Sequence, residues 1–301
     1  MLTKISIIGL GFVGNSILES FKLKNVNIVG YYDKFKNGGI GKLEDCLDSE
    51  FLFMALPTQY DHELGKYDKS AIFETCEYLK EKKYNGVIVI KSTVEPESIF
   101  LLEEKFPSLQ FIHNPEFLTA RTAFEDFHNQ DHIVIGKGKN CKEEDAIKLK
   151  IFYKHYYPDA EISMCSSIES ESMKIFVNCF YSVKIQFFNE LYLLCKKNGS
   201  DYEIVKDLML KNKWINPMHT TIPGPDGKLS YGGLCFPKDT NALLKYMQRN
   251  NNPSEVLKAT INERNKMRDD HDNCSNTNKK KLSFIDNIVK NIKDSFNKIF
   301  S

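Results

Sequence analysis

The sequence predicts an α/β fold, a parallel sheet covered on both faces, followed by an all-α domain. Three observations predict it. Short apolar runs alternate with helical patterns up to about residue 160. A Gly9-Leu10-Gly11-Phe12-Val13-Gly14 turn joins the first run to the first helical pattern. From 168 to 198 a single helical pattern continues with no Gly or Pro.

Residues 4–8 (KISII) form a strand that stops at Gly9, and 12–22 carry a helix. A second strand over 26–32 ends at Asp33, with further strands at 51–56, 86–90, 109–112 and 132–135. Helices are expected at 69–82, 97–105 and 142–155, which closes a domain over 1–160. A helical domain follows over 161–265. On its long first helix Met173, Phe176, Val177, Phe180, Phe187, Leu191 and Leu194 form an apolar stripe, and Gly199 stops it. Helices at 201–212, 238–250 and 253–268 complete the domain, around a turn-rich segment at 223–239. Residues 266–301 read as a polar linker and a basic amphipathic helix at 282–300. That helix suits packing on protein, with a membrane surface as the alternative.

The formal net charge of +1 argues against nucleic acid as a partner. No run reaches the roughly 20 apolar residues of a membrane span. The start lacks a signal peptide, and the eight cysteines contain no CxxC pair, so reduced thiols in the cytoplasm are expected and a zinc cluster is not.

The glycine turn lies between a strand and a helix, and Asp33 ends the next strand 19 residues after Gly14. That context makes it a Rossmann-like dinucleotide site. Gly9 permits the turn, Gly11 lets backbone approach a pyrophosphate, and Gly14 lets helix pack on strand. Phe12 and Val13 open the helix whose N-terminus faces the phosphates. Asp33 would bond the adenosine ribose and repel a 2′-phosphate, favouring NAD, although Lys34 and Lys36 follow closely.

Three further segments follow strands, where α/β sheets bind ligands: Leu56-Pro57-Thr58, Lys91-Ser92-Thr93-Val94-Glu95-Pro96 and Asn114-Pro115-Glu116-Phe117-Leu118. A fourth is Gly232-Gly233-Leu234-Cys235-Phe236-Pro237-Lys238-Asp239. Two glycines bring its backbone near a ligand, and Pro237 suits a first helical turn. Cys235 then sits at a helix N-terminus beside Lys238, both of which favour thiolate, with Asp239 as proton acceptor or water-orienting group. Cys46, Cys76, Cys179 and Cys195 read as small buried hydrophobes. Lys174 and Asn178, at i and i+4, can hold an oxyanion, and Glu116 can serve as base or bind hydroxyls.

With these motifs in this order, the sequence resembles the UDP-glucose/GDP-mannose dehydrogenase family over about 1–265. The resemblance implies oxidation of a nucleotide-sugar C6 alcohol, UDP-glucose being the expected substrate, in two steps that reduce two NAD. Carried onto this chain, Cys235 forms a thiohemiacetal and then a thioester. Lys174 stabilises the oxyanion with Asn178 beside it. Asp239 and Thr93 position water or relay protons, Glu116 assists as base, and Lys238 lies near cofactor and thioester. The cofactor is expected against Gly9, Gly11, Phe12, Val13, Gly14, Asp33, Pro57, Thr58, Ser92, Thr93 and Lys238. The sugar nucleotide is expected against Glu116, Phe117, Leu118, Lys174, Asn178, Lys228, Tyr231, Gly232 and Gly233. A homodimer built on the long helix is also implied.

Two departures stand out. Ala120 replaces a second glutamate usual in the family. Residues 266–301 are too few for the further α/β domain that binds the nucleotide in relatives. They leave two alternatives: a cofactor-binding homologue without turnover, and a one-step β-hydroxyacid dehydrogenase-like enzyme that needs no cysteine.

Overall fold

A computed structural model describes residues 3–270. The expected tail helix at 282–300 lies outside the described residues. The chain forms two compact units that divide between Val177 and Asn178, inside the long helix.

The first unit is a seven-stranded sheet. Its strands are β1 (Ile5–Ile8), β2 (Ile28–Tyr32), β3 (Phe51–Met54), β6 (Val87–Ile90), β7 (Gln110–His113), β8 (His132–Lys137) and β9 (Glu161–Ser166), in the order β2-β1-β3-β6-β7-β8-β9. A two-stranded hairpin, β4 (Tyr60–Asp61) with β5 (Lys66–Tyr67), stands apart. The helices are α1 (Phe12–Leu23), α2 (Ser70–Glu81), α3 (Ser98–Lys105), α4 (Ala123–His128) and α5 (Glu143–Tyr156). Because β2 and β3 flank β1 on opposite sides, the turn after β1 opens at the point where strand order reverses, where such sheets bind ligands.

The sheet is parallel, as expected, except at one pair. β7 and β8 run antiparallel, with Ile112 opposite Lys137. The link between them, carrying the six-residue α4, returns the chain alongside β7 instead of crossing over. Alternate residues of each central strand face opposite cores. Phe51, Phe53, Val87 and Val89 join Phe21 and Phe152 on one face. Leu52, Met54, Ile88 and Ile90 join Ile72, Leu79 and Leu102 on the other. This double burial is why the strands read as unbroken apolar runs.

α6 (Ser167–Asn198) has 32 residues, about 48 Å at 1.5 Å per residue. The second unit continues with α7 (Tyr202–Leu210), α8 (Phe236–Arg249) and α9 (Glu255–Met267). Its apolar core gathers Phe188, Leu191, Tyr192, Tyr202, Val205, Met209, Ile215 and Ile222. The expected apolar stripe of α6 is largely not its inner face. Phe176, Phe180, Phe187 and Leu194 are 51–64% exposed, whereas Ile175, Cys179, Ser182, Gln186 and Asn189 are buried. The inner face is thus partly polar, and it supplies hydrogen bonds to the loop before α8.

Candidate active site

The glycine turn shows three distinct requirements. Gly9 has φ +85°, and a Cβ there would meet the Ala55 carbonyl oxygen at 2.5 Å. A Cβ on Gly14 would stand 1.7 Å from the Gly9 carbonyl oxygen. Both glycines are fixed by the fold. A Cβ on Gly11 would meet nothing within 4 Å, so no protein atom demands glycine there. An open backbone at the N-terminus of α1 is what a pyrophosphate needs. Phe12 is 62% exposed at the mouth of this turn, and Val13 packs against the core.

Asp33 holds the turn from the end of β2. Its Oδ2 accepts from Leu10 N at 2.7 Å, and its Oδ1 from Phe35 N at 2.9 Å and Lys36 N at 2.8 Å. Partial burial works to raise its pKa, but those three N–H donors and the Lys36 charge bring it below the usual carboxylate value. A carboxylate offers about four acceptor positions, so one remains for a ribose hydroxyl. The two lysines that follow face different tasks. Lys34 pairs with Glu74 at 2.8 Å, and Lys36 Nζ donates to the Leu10 carbonyl at 2.8 Å and to Asn15 at 3.0 Å. These residues fit a nicotinamide dinucleotide.

The loops after β3 and β6 are tied to each other. Thr58 Oγ1 donates to the Thr93 carbonyl at 2.7 Å, and Ser92 Oγ to the Leu56 carbonyl at 2.6 Å. Pro57 is exposed and Thr93 half-buried beside them. Glu95 is buried, accepting from Tyr67 N and Lys69 Nζ, each at 2.8 Å. It locks the β4–β5 hairpin against this loop.

Below the loop after β7 lies a buried polar group that the sequence reading passed over. Lys91 is 1% exposed and donates to Asn114 Oδ1 at 3.1 Å and the Pro115 carbonyl at 3.4 Å. Asn114 Oδ1 also accepts from Tyr153, and its Nδ2 donates to the Val134 carbonyl at 2.6 Å. Burial lowers the Lys91 pKa to about 8, a shift opposed by Glu116 and helped by Lys174. Above it, Lys174 Nζ donates to the Glu116 carbonyl at 2.5 Å and lies 5.2 Å from the Phe117 ring. Glu116 Oε2 is buried with no hydrogen-bond partner among the described residues. Phe117 is exposed and stacks on His132, while Leu118 packs into the core. A lysine directly after a fully buried strand was the available signal, because such an ammonium must find acceptors.

In the second unit Cys235 caps the N-terminus of α8, with Pro237 in the first turn. It is exposed, in contrast to Cys46, Cys76, Cys179 and Cys195, which are buried. None of the described cysteines is in a disulfide. Burial pushes the Cys46 and Cys76 thiols up to about 12, and Cys179 well above its ordinary value, with Asp239 adding to the last shift. Asp239, one turn after Cys235, is fully buried. Its N–H donates to the Cys235 carbonyl at 2.9 Å, and its carboxylate accepts from Asn178 Nδ2 at 2.6 Å and from Lys238 Nζ. Lys174 and Asn178 therefore do not form a solvated helix face, for they are 6% and 8% exposed.

Lys228 is exposed, and Gly233 has φ +77° with open space at its Cβ position. Tyr231, expected to touch substrate, is instead 2% exposed, with its hydroxyl 3.5 Å from Thr240. Its side chain is a packing group, and burial raises its pKa to about 12. Gly232 packs against Arg268, whose guanidinium would stand 2.3 Å from a Cβ. Arg264 and Arg268 were not anticipated, and their i, i+4 spacing late in a helix was the only signal.

Among the described residues no group of His, Cys, Asp and Glu is arranged to hold a metal ion, and no helix is long and apolar enough to cross a membrane.

Two models of one family match. The NAD binding domain of the UDP-glucose/GDP-mannose dehydrogenase family matches residues 41–156, and its central domain matches 168–266. A UDP-glucose 6-dehydrogenase from Rickettsia prowazekii (strain Madrid E) is 32% identical over 261 residues, covering 83% of this chain and 54% of that protein. The chain thus spans about half the length of the curated relatives it matches first. The solved structure of a UDP-glucose dehydrogenase from Pyrobaculum islandicum superimposes with TM-score 0.76 at 25% identity, over 88% of this chain and 68% of that one. A Mycobacterium tuberculosis 3-hydroxyisobutyrate dehydrogenase shares the fold alone, with TM-score 0.68 at 13% identity over 90% of this chain and 95% of that one. With its motifs in order and both models matched, the chain belongs to the UDP-glucose/GDP-mannose dehydrogenase family, its first unit carrying that family's NAD-binding domain.

Proposed function

We propose that the chain catalyses NAD-dependent oxidation of a nucleotide sugar at C6, UDP-glucose to UDP-glucuronate, through covalent capture on Cys235. The observation that carries this reading is the contrast among cysteines. One thiol is exposed at a helix N-terminus, with a buried, doubly held carboxylate one turn away, while the thiols of Cys46, Cys76 and Cys179 are buried and raised.

A bound nicotinamide would supply the hydride acceptor for each oxidation, with two NAD molecules used in turn. The glycine turn and Asp33 would hold the cofactor's diphosphate and ribose, and Pro57, Thr58, Ser92 and Thr93 would line its nicotinamide end. Glu116, with one unpartnered carboxylate oxygen, takes the alcohol proton in the first oxidation. The Cys235 sulfur then adds to the aldehyde carbon, giving an sp3 carbon that can surrender a second hydride. Lys174 uses one of its three donors on Glu116 and has two left for the oxyanion, with Asn178 beside it. Asp239 orients the water that cleaves the thioester, releasing carboxylate and restoring the thiol.

The exposed Phe176, Phe180, Phe187 and Leu194 on α6 support a homodimer sealed on that helix. A cytoplasmic setting follows from the use of soluble nucleotide sugars and a reduced thiol.

The test is NADH formation with UDP-glucose. We expect two NADH per sugar and loss of sustained turnover in Cys235→Ser. If the protein binds NAD in calorimetry but yields no NADH with UDP-glucose, GDP-mannose or UDP-N-acetyl sugars, the reading without turnover replaces it. Full activity in Cys235→Ser selects the one-step alternative.

A further inference from the structure

The segment that delivers Cys235 is held in an uncommon way. Three consecutive carbonyls, of Leu229, Ser230 and Tyr231, accept from arginine side chains. Arg268 Nη1 donates to Leu229 at 3.0 Å and Ser230 at 3.4 Å, and Arg264 Nε to Tyr231 at 3.2 Å. Both arginines are 4% exposed. Asp270 bridges them, with Arg268 Nε at 2.9 Å from its Oδ2 and Arg264 on its other oxygen. Arg268 also pairs with Asp226, earlier in the same loop. From the opposite side, α6 supplies Asn189 Oδ1, which accepts from Ser230 N at 2.8 Å, and Gln186 Oε1, which accepts from Ser230 Oγ at 2.5 Å.

These bonds fix an otherwise unfavourable backbone. Ser230 has φ +57°, a left-handed conformation that a serine seldom adopts. Gly232 has no room for a side chain because the Arg268 guanidinium lies against it. Two glycines just before Cys235 would leave the cysteine end of the loop loose. The arginine bonds end at Tyr231, four residues before the sulfur, and the Arg268 guanidinium also fills the space beside Gly232.

We propose that Arg268, with Arg264 and Asp270, is a positioning device that sets where Cys235 is presented. Arg268 and Asp270 lie beyond the matched family domain, which ends at residue 266. The clamp touches no reacting atom and acts through the loop backbone. It rests on Cys235 being the nucleophile. A displaced sulfur captures the aldehyde more slowly, so aldehyde escapes after the first hydride transfer.

The test uses the full chain and two readouts. One is the rate at which iodoacetamide alkylates Cys235, read by mass spectrometry of its peptide. The other is NADH yield per UDP-glucose, with a hydrazine reagent to trap free aldehyde. Arg268→Lys keeps the charge but loses the planar fork. It is expected to slow alkylation by up to about tenfold, because a displaced sulfur leaves the helix N-terminus that favours thiolate, and to drop NADH per sugar from two toward one with trapped aldehyde. Asp226→Asn, at a half-exposed carboxylate, gives the same changes more weakly and serves if Arg268→Lys does not fold. Wild-type alkylation rates and two NADH per sugar in the folded variants overturn the proposal. If the wild type makes no NADH while alkylation still slows in Arg268→Lys, the clamp stands and the dehydrogenase reading falls.

Discussion

The glycine turn after β1 and the loop before α8 both bring backbone close to a ligand, yet they are held by different forces. The turn is shaped by steric exclusion, with Asp33 and Lys36 bonded to Leu10 inside it. Gly9 and Gly14 sit where a Cβ would meet backbone, and the apolar cores of a doubly covered sheet press the elements together. The loop is fixed by charge. Arg264, Arg268, Asp270, Gln186 and Asn189 supply buried hydrogen bonds, beside the apolar packing of Ile222, Leu229 and Tyr231. A steric constraint such as that at Gly9 and Gly14 admits no added Cβ. A charge-held site tolerates conservative changes in folding and loses geometry first.

Substitutions in the first unit separate steric from polar constraints. The largest effect is expected for Gly14→Ala. The added methyl would overlap the Gly9 carbonyl, costing about 3 kcal/mol by overpacking, visible as a lowered urea midpoint together with lost NADH binding. Lys91→Met comes next. It leaves Asn114 Oδ1 and the Pro115 carbonyl without their ammonium donor, at about 2 kcal/mol.

Lys91 also carries a pH signature. Its pKa falls from an ordinary 10.5 to about 8 on burial. Between those values the unfolded chain binds more protons than the folded one, so stability attributable to this group rises with pH across that window and is flat below it. Relative to Lys91→Met, the wild type should gain stability from pH 8 upward. A constant difference across that range would show that the ammonium is not desolvated.

Gly11→Ala is expected to have the smallest effect on stability, within about 0.5 kcal/mol, because its Cβ meets nothing. It should nevertheless weaken NADH binding, read by fluorescence titration. If it destabilises the fold as Gly14→Ala does, Gly11 is structural and the open cradle is misread.

The same contrast explains what could be read in the sequence. Steric needs are local, so GLGFVG, Asp33 and the strand-end motifs were legible, as was Cys235 at the start of α8. The seventh strand was not. β9 (EISMCS) is an edge strand with no apolar run, and it extends the sheet past the expected boundary at 160. The inner face of α6 was misjudged because Phe176, Phe180 and Phe187 stay exposed while Gln186 and Asn189 turn inward. The arginine clamp spans 33 to 42 residues of sequence, and charged side chains are by default expected outside, so the i, i+4 spacing of Arg264 and Arg268 was its only local sign.

The proposed reaction depends on a covalent bond at one sulfur. The most direct measurement is mass spectrometry of protein acid-quenched during turnover with UDP-glucose and NAD. The account predicts an acyl adduct of the sugar nucleotide on the Cys235 peptide, absent when NAD is withheld. An unmodified Cys235 in rapidly quenched, actively turning-over protein would contradict it.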